Sequence, residues 1–199
     1  MKRFYHLFAL VSFFIFLGAN LHASPLRGYI VTKNGRQLTG YIGEVYQSDY
    51  SSIVVFINDF GSVYHIHAEL IKGFVYKNEE NYVAYASMPV RNAWHFLRII
   101  EKGKALSLYQ APESQVTVGF IQGSFQVKRY EVSEFWLQFE NKKPTRIRKV
   151  GYKGKMRRLL RKTAPELSQK IGGEGYKFQD LPGIVREYNH FLSQKRWKI

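Results

Sequence analysis

Gly28-Tyr29-Ile30-Val31-Thr32-Lys33-Asn34-Gly35-Arg36-Gln37-Leu38-Thr39-Gly40-Tyr41-Ile42 is the stretch that decides the fold class of this chain. Two arms rich in β-branched and aromatic residues flank Asn34-Gly35. That pair best tolerates the two positive φ angles of a type I′ turn, so the stretch is expected to form an antiparallel hairpin. The echo of Gly-Tyr-Ile at 28–30 and 40–42 fits the two arms of one hairpin, because solenoid repeats need a recurring unit of ~20 residues or more.

Downstream of the hairpin the same grammar repeats. Ile53 to Ile57 is a continuous β-branched and aromatic run, Asp59-Phe60-Gly61 turns it, and Val63-Tyr64-His65-Ile66-His67 returns with alternation. Phe74 to Tyr76 and Tyr82 to Ala86 bracket Asn78-Glu79-Glu80-Asn81; Phe96 to Ile100 and Leu106 to Tyr109 bracket Lys102-Gly103-Lys104. Val116 to Phe120, a turn at Gln122-Gly123, Phe125 to Tyr130, Phe135 to Phe139 and Ile147 to Val150 complete the series. About ten short strands with no helical period among them predict an antiparallel meander, curled or closed into a partly open barrel so that few edges stay exposed.

After Gly151 the period becomes helical. Tyr152, Met156, Leu159 and Leu160 share one face, and Lys153, Lys155, Arg157, Arg158, Arg161 and Lys162 occupy the rest. Thr163-Ala164-Pro165-Glu166 restarts a helix, with Thr163 as cap, Pro165 in the first turn and Glu166 completing a capping box. Gly172-Gly173 ends it, and a last helix opens at Asp180 with the stripe Leu181, Ile184, Val185, Tyr188, Phe191 and Leu192. The expected class is mainly β with an α-helical C-terminus (α+β), two to three helices packing on the sheet.

The first residues read as an address. Lys2 and Arg3 precede an uncharged apolar run from Leu7 to Ala19, and Leu21-His22-Ala23 ends in a small residue suited to signal peptidase. The run holds 13 residues, short of the ~20 that a spanning helix needs. The expected organisation is therefore a signal peptide over 1–23, a β-rich domain over 24–150, and a basic helical segment over 151–199 packed on it. Export leads to the periplasm or the exterior, with peripheral attachment to the outer membrane as one destination. Zero cysteines exclude disulfides, thiol catalysis and lipid attachment through an N-terminal cysteine, so an ordinary core must hold the mature chain together.

Charge divides the chain unequally. Residues 24–141 hold 11 Lys/Arg and 11 Asp/Glu; residues 142–199 hold 17 Lys/Arg against four acids, a net of +13.

The order of these features, with the "GYIVTKNGRQLTGYI" hairpin, the "LIKGFVY" segment and the "APELSQKI…GYKFQDLPGIVREYN" tail, resembles a group of uncharacterised exported proteins of Gram-negative bacteria. The resemblance implies fold and compartment and carries no activity. In that group a cysteine often precedes the tail's proline; this chain has Ala164 there, which implies that the fold does not require the thiol.

Candidate chemistry is sparse. His65 and His67 lie two apart on a strand, so both face one side, with Glu69 the nearest third group; zinc takes three or four protein ligands, and ordinary surface histidines are the plainer account. No Gly-x-Ser-x-Gly occurs, and Ser107, Ser114, Ser124 and Ser133 lie in contexts without a nucleophile's turn. The carboxylate pairs Glu131/Glu134 and Glu79/Glu80 are of a kind common on solvated turns. No cofactor is implied.

The basic segment has three readings: a solvated helical surface, attraction to polyanions of the envelope, and nucleic acid with Tyr152, Tyr176 and Trp197 interleaved. Export disfavours the last. The expectation is a non-enzymatic envelope or interaction protein, with Lys153, Lys155, Arg157, Arg158, Arg161 and Lys162 binding anionic lipid, lipopolysaccharide or acidic polysaccharide. The alternative is a small envelope hydrolase whose acidic site assembles only in the fold, recognisable as a cleft holding two close carboxylates. Tyr29, Tyr41, Tyr64, Tyr76, Tyr82, Tyr85 and Trp94 are expected mostly in the core and in cross-strand packing.

Overall fold

Alternating apolar residues, punctuated by turns, form twelve strands among the described residues of the computed structural model. It describes residues 25–196 apart from 49, 91, 112, 113, 122, 123, 132, 133 and 141. The expected signal segment, Ser24, the Gln122-Gly123 turn and Trp197 lie outside the described residues.

The opening hairpin forms from β1 (Leu26–Thr32) and β2 (Gln37–Gln47), with Ile30 opposite Leu38 and Gly28 opposite Gly40. Its turn is not the expected type I′. Thr32 N–H bonds Arg36 O, Gly35 N–H bonds Thr32 O, and Gly35 alone in the loop has a positive φ, +88°. That is a three-residue loop in which one glycine takes the left-handed position, so Asn34 need not. The Asn34 side chain instead accepts hydrogen bonds from the Thr32 hydroxyl and the Arg36 N–H.

β3 (Ser52–Asn58), β4 (Val63–His67), β5 (Ile71–Asn78), β6 (Asn81–Val90), β7 (Ala93–Glu101), β8 (Leu106–Gln110), β11 (Phe135–Phe139) and β12 (Thr145–Ile147) join them in one antiparallel sheet of ten strands. Its order, β12-β11-β8-β7-β6-β5-β1-β2-β3-β4, departs from a simple meander. β5 returns to the free edge of β1, so the first strand lies inside the sheet. β9 (Ser114–Ile121) and β10 (Ser124–Glu131) form a separate two-stranded ladder. The last predicted strand, Ile147 to Val150, lies earlier than expected: β12 spans Thr145–Ile147, sharing only Ile147 with it, and Val150 is exposed.

The sheet curls. β3 and β7, separated by four strands in sheet order, come into contact, and the buried Ser52 Oγ lies 3.3 Å from the buried His95 Nδ1 across that seam. A 3-10 turn, Ala68–Leu70, touches β3, β5, β6 and β7 and closes one end. Inside sit Ile30, Ile42, Val54, Phe56, Ala68, Ile71, Phe74 and Phe96. Phe74 stacks on Tyr85 at 4.7 Å and meets Phe96 edge-on at 5.0 Å, geometries that suit the ring quadrupoles. Gly40 permits this packing, since a Cβ there would stand 2.7 Å from the Phe56 ring.

The rest of that sheet face is covered by helices α1 (Tyr152–Leu160), α2 (Pro165–Lys170) and α3 (Leu181–Arg196). Leu106, Leu108, Leu137 and Ile147 from the sheet meet Tyr152, Met156, Leu160, Leu167, Leu181, Ile184, Val185 and Tyr188. Asn189 fastens the layer: its Oδ1 accepts the N–H groups of Ala105 (3.2 Å) and Leu106 (3.0 Å), and its Nδ2 donates to Leu106 O (2.7 Å). Leu97, Tyr109 and Trp136, on the opposite sheet face, join Met88, Val90 and Ala111 in a third cluster.

Candidate functional site

Spacing on α1 places the basic side chains. Gly154, Arg157, Arg158 and Arg161 recur at i, i+3, i+4 and i+7, one face of a helix, while Tyr152, Met156 and Leu160 bury the opposite face. Pro165 starts α2 in its first turn, as expected, and sends it back past α1. Thr163 does not cap it: Ala164 holds the cap position without a side-chain bond. Thr163 instead donates to Leu160 O and accepts from the Tyr188 hydroxyl (3.0 Å). Packing of Tyr188 claimed the hydroxyl that local sequence assigned to a capping box.

Between the two helices lies an open cleft of about 630 Å³, lined by Gly154, Arg157, Arg158, Arg161, Pro165, Ser168 and Gln169. Nothing stands within 4 Å of a Cβ placed on Gly154, so its missing side chain leaves the floor open between the arginines. Arg157 is held: Nε donates to Ile171 O and Nη2 to Gln169 O, both at 3.2 Å. Ser168 Oγ in turn donates to Arg157 O at 2.9 Å. A planar guanidinium fixed by two carbonyls at the end of a helix is positioned before any ligand arrives. Arg158 and Arg161 are exposed beside it.

The structure thus gathers three of the six basic candidates and separates the others. Lys153 lies along Gly172, whose Cβ would meet its Cδ at 2.8 Å. Lys155, half-buried, donates to Arg146 O at 2.6 Å. Lys162 is exposed on the turn after α1. Three acids are engaged by cations outside this set: Glu134 pairs with Arg146 and Arg148, Glu187 with Lys170, and Glu101 with Arg186. None of the six candidates forms an ion pair with a carboxylate among the described residues. Sequence reasoning missed Gly154 and the α2 wall of Pro165, Ser168 and Gln169. The heptad spacing of Gly154 to Arg161 was the available signal; the return of α2 had none.

His65 and His67 are both exposed on β4, directed to one side by strand alternation. No group of three His, Cys, Asp or Glu side chains able to hold a metal occurs among the described residues. His95, isolated in sequence, pairs with Ser52 in the barrel seam, where burial of both keeps the serine from any substrate. Glu79 and Glu80 form the β5–β6 turn, with Glu79 at φ +52°.

A second cleft, of about 450 Å³, opens at the barrel end away from the 3-10 turn. Ile30, Phe56 and Ile66 form its apolar floor; Leu38, Phe60 and Tyr64 stand at the rim. Its one carboxylate, Asp59, pairs with Arg27 and accepts from Thr39 Oγ1 at 2.7 Å. The Thr39 hydrogen bond first, and Arg27 second, hold the Asp59 carboxyl below its ordinary range. Asn58 Oδ1 is likewise taken, by the N–H groups of Phe60 and Ser62. Neither cleft brings two carboxylates together.

Among the described residues no helix is long and apolar enough to cross a membrane. No protein family, no curated protein and no solved structure matches this chain.

Proposed function

We propose that this chain is an exported, non-enzymatic envelope or interaction protein that binds anionic envelope components through its basic C-terminal helices. Anionic lipid headgroups, lipopolysaccharide phosphates and acidic polysaccharide share the required chemistry: oxyanions in a dense array. The observation that carries this reading is the cleft over Gly154, with Arg157 held in place, Arg158 and Arg161 beside it, and no carboxylate in its lining. Export rests on Lys2, Arg3, the apolar run Leu7 to Ala19 and Ala23. The periplasm or the outer-membrane surface follows as the place of work.

The test is retention on vesicles of phosphatidylglycerol and of phosphatidylcholine at rising salt. Retention on the anionic vesicles should fall steeply with salt, because each basic residue near such a surface contributes about 1 kcal/mol and is screened within a Debye length. Replacing Arg158 and Arg161 together by Ala should weaken retention by roughly 30-fold, two such contributions, with folding stability unchanged because neither makes a tertiary hydrogen bond or ion pair among the described residues. Equal retention on both vesicle types would sink the proposal.

A further inference from the structure

The hairpin of β3 and β4 ends the sheet on the side away from the helices, and β4 is the outermost strand. Proteins ordinarily protect such an edge with Lys, Pro, a bulge or a very short strand. β4 has five residues, Val63-Tyr64-His65-Ile66-His67, with no Lys, no Pro and an unbroken register against β3 from Ile53–His67 to Ile57–Val63. The opposite edge is managed: β12 has three residues, and its Ile147 is buried under the helices.

Apolar side chains are also exposed at this edge. Phe60 is 95% exposed, Val63 56% and Tyr64 48%. Charge is absent from it: Ser52 to His67 carries one formal charge, Asp59, which Arg27 neutralises. On a chain of net charge +15, with +13 in residues 142–199, a neutral apolar edge is where a second copy can approach without repulsion.

We infer that β4 pairs antiparallel with β4 of a second copy of this chain, across a two-fold axis, to give a homodimer with one continuous sheet. Residues opposite each other in an antiparallel pair share a face, so Tyr64 and Ile66 of both copies fall on the side of the apolar barrel mouths. The two mouths then merge into one trough, which covers part of the exposed Tyr64 ring and the outer edge of β4. The two basic segments remain apart at the outer edges.

Sedimentation equilibrium of the purified protein across a concentration range, at moderate salt, tests this. A reversible dimer is expected, and a monomer at every concentration would overturn the inference. His65→Lys is the main variant. The residue is exposed on β4, and in the dimer its cation would stand against the partner strand. It should raise the dissociation constant at least 10-fold while the circular dichroism spectrum and thermal midpoint of the monomer stay as in the parent. A control, Lys162→Glu on the basic segment, should leave dimerisation intact. A dimer that survives both His65→Lys and Val63→Lys would place the contact elsewhere and overturn the inference as well.

Discussion

The curled barrel of β1–β3 and β5–β7 and the helix-covered layer of β8, β11 and β12 meet the same requirement, a dry interior, with different materials. The barrel uses stacked aromatics, small residues at crossings and a neutral surface. The layer uses aliphatic side chains from sheet and helices, and it carries most of the positive charge on its outer face. Strand β7 belongs to both: Phe96 points into the barrel, Ile100 packs against the helix layer, and Leu97 between them faces the third cluster. The lesson is that charge can be segregated without dividing the core, because one strand contributes to every interior.

The largest expected effects break each region separately. Phe74→Ala in the barrel and Leu137→Ala in the layer each remove a side chain with 1% exposure or less, and each should cost about 3–5 kcal/mol through lost burial and the cavity left behind. Because β7 is shared, both variants should melt in one transition followed by near- and far-ultraviolet circular dichroism. Two separate transitions in either would show that the regions are independent.

A smaller effect sharpens the comparison at the joint. Asn189→Ala leaves the N–H groups of Ala105 and Leu106 and the Leu106 carbonyl without their side-chain partner. It should cost about 2–3 kcal/mol by denaturant unfolding, and hydrogen exchange should rise first at those two amides.

The smallest effect is confined to the layer and to alkaline pH. Burial, with a lesser push from Asp180, raises the Tyr152 phenol from 10.0 to about 12. The folded state therefore keeps a proton that the unfolded chain releases. Stability from this group is fully present below pH 10 and is lost as pH rises from 10 to about 12, an amount of about 2 kcal/mol. Unfolding midpoints at pH 9, 11 and 12 should fall more steeply for the parent than for Tyr152→Phe; parallel curves would refute the assignment.

Much of this fold was legible along the chain, and the failures have a common origin. Strands, helices and the stripe on α3 follow from local periodicity, which is a property of neighbouring residues. Asn34-Gly35 marked the first turn, but the turn type depended on how many residues the two strands left over. Thr163 carried a cap signal, and a tyrosine 25 residues away took its hydroxyl instead. The six cations of the basic segment were visible as a charge run; that Arg157, Arg158 and Arg161 share a cleft and Lys155 does not was decided by where α2 and Arg146 came to lie.

By itself, then, the sequence determined the class, the unequal division of charge, the absence of disulfides and most of each helix's apolar face, because these depend on composition and on periods of 2 and 3.6 residues; Phe191 of the last helix's stripe is exposed all the same. Tertiary structure alone decided that β5 returns to β1, that β3 meets β7 through Ser52 and His95, and that an uncharged edge strand is left at one side while the arginine cleft forms at the other. Those are contacts between residues distant in the chain. They follow from how whole faces of the sheet find cover, and no window of neighbouring residues contains that information.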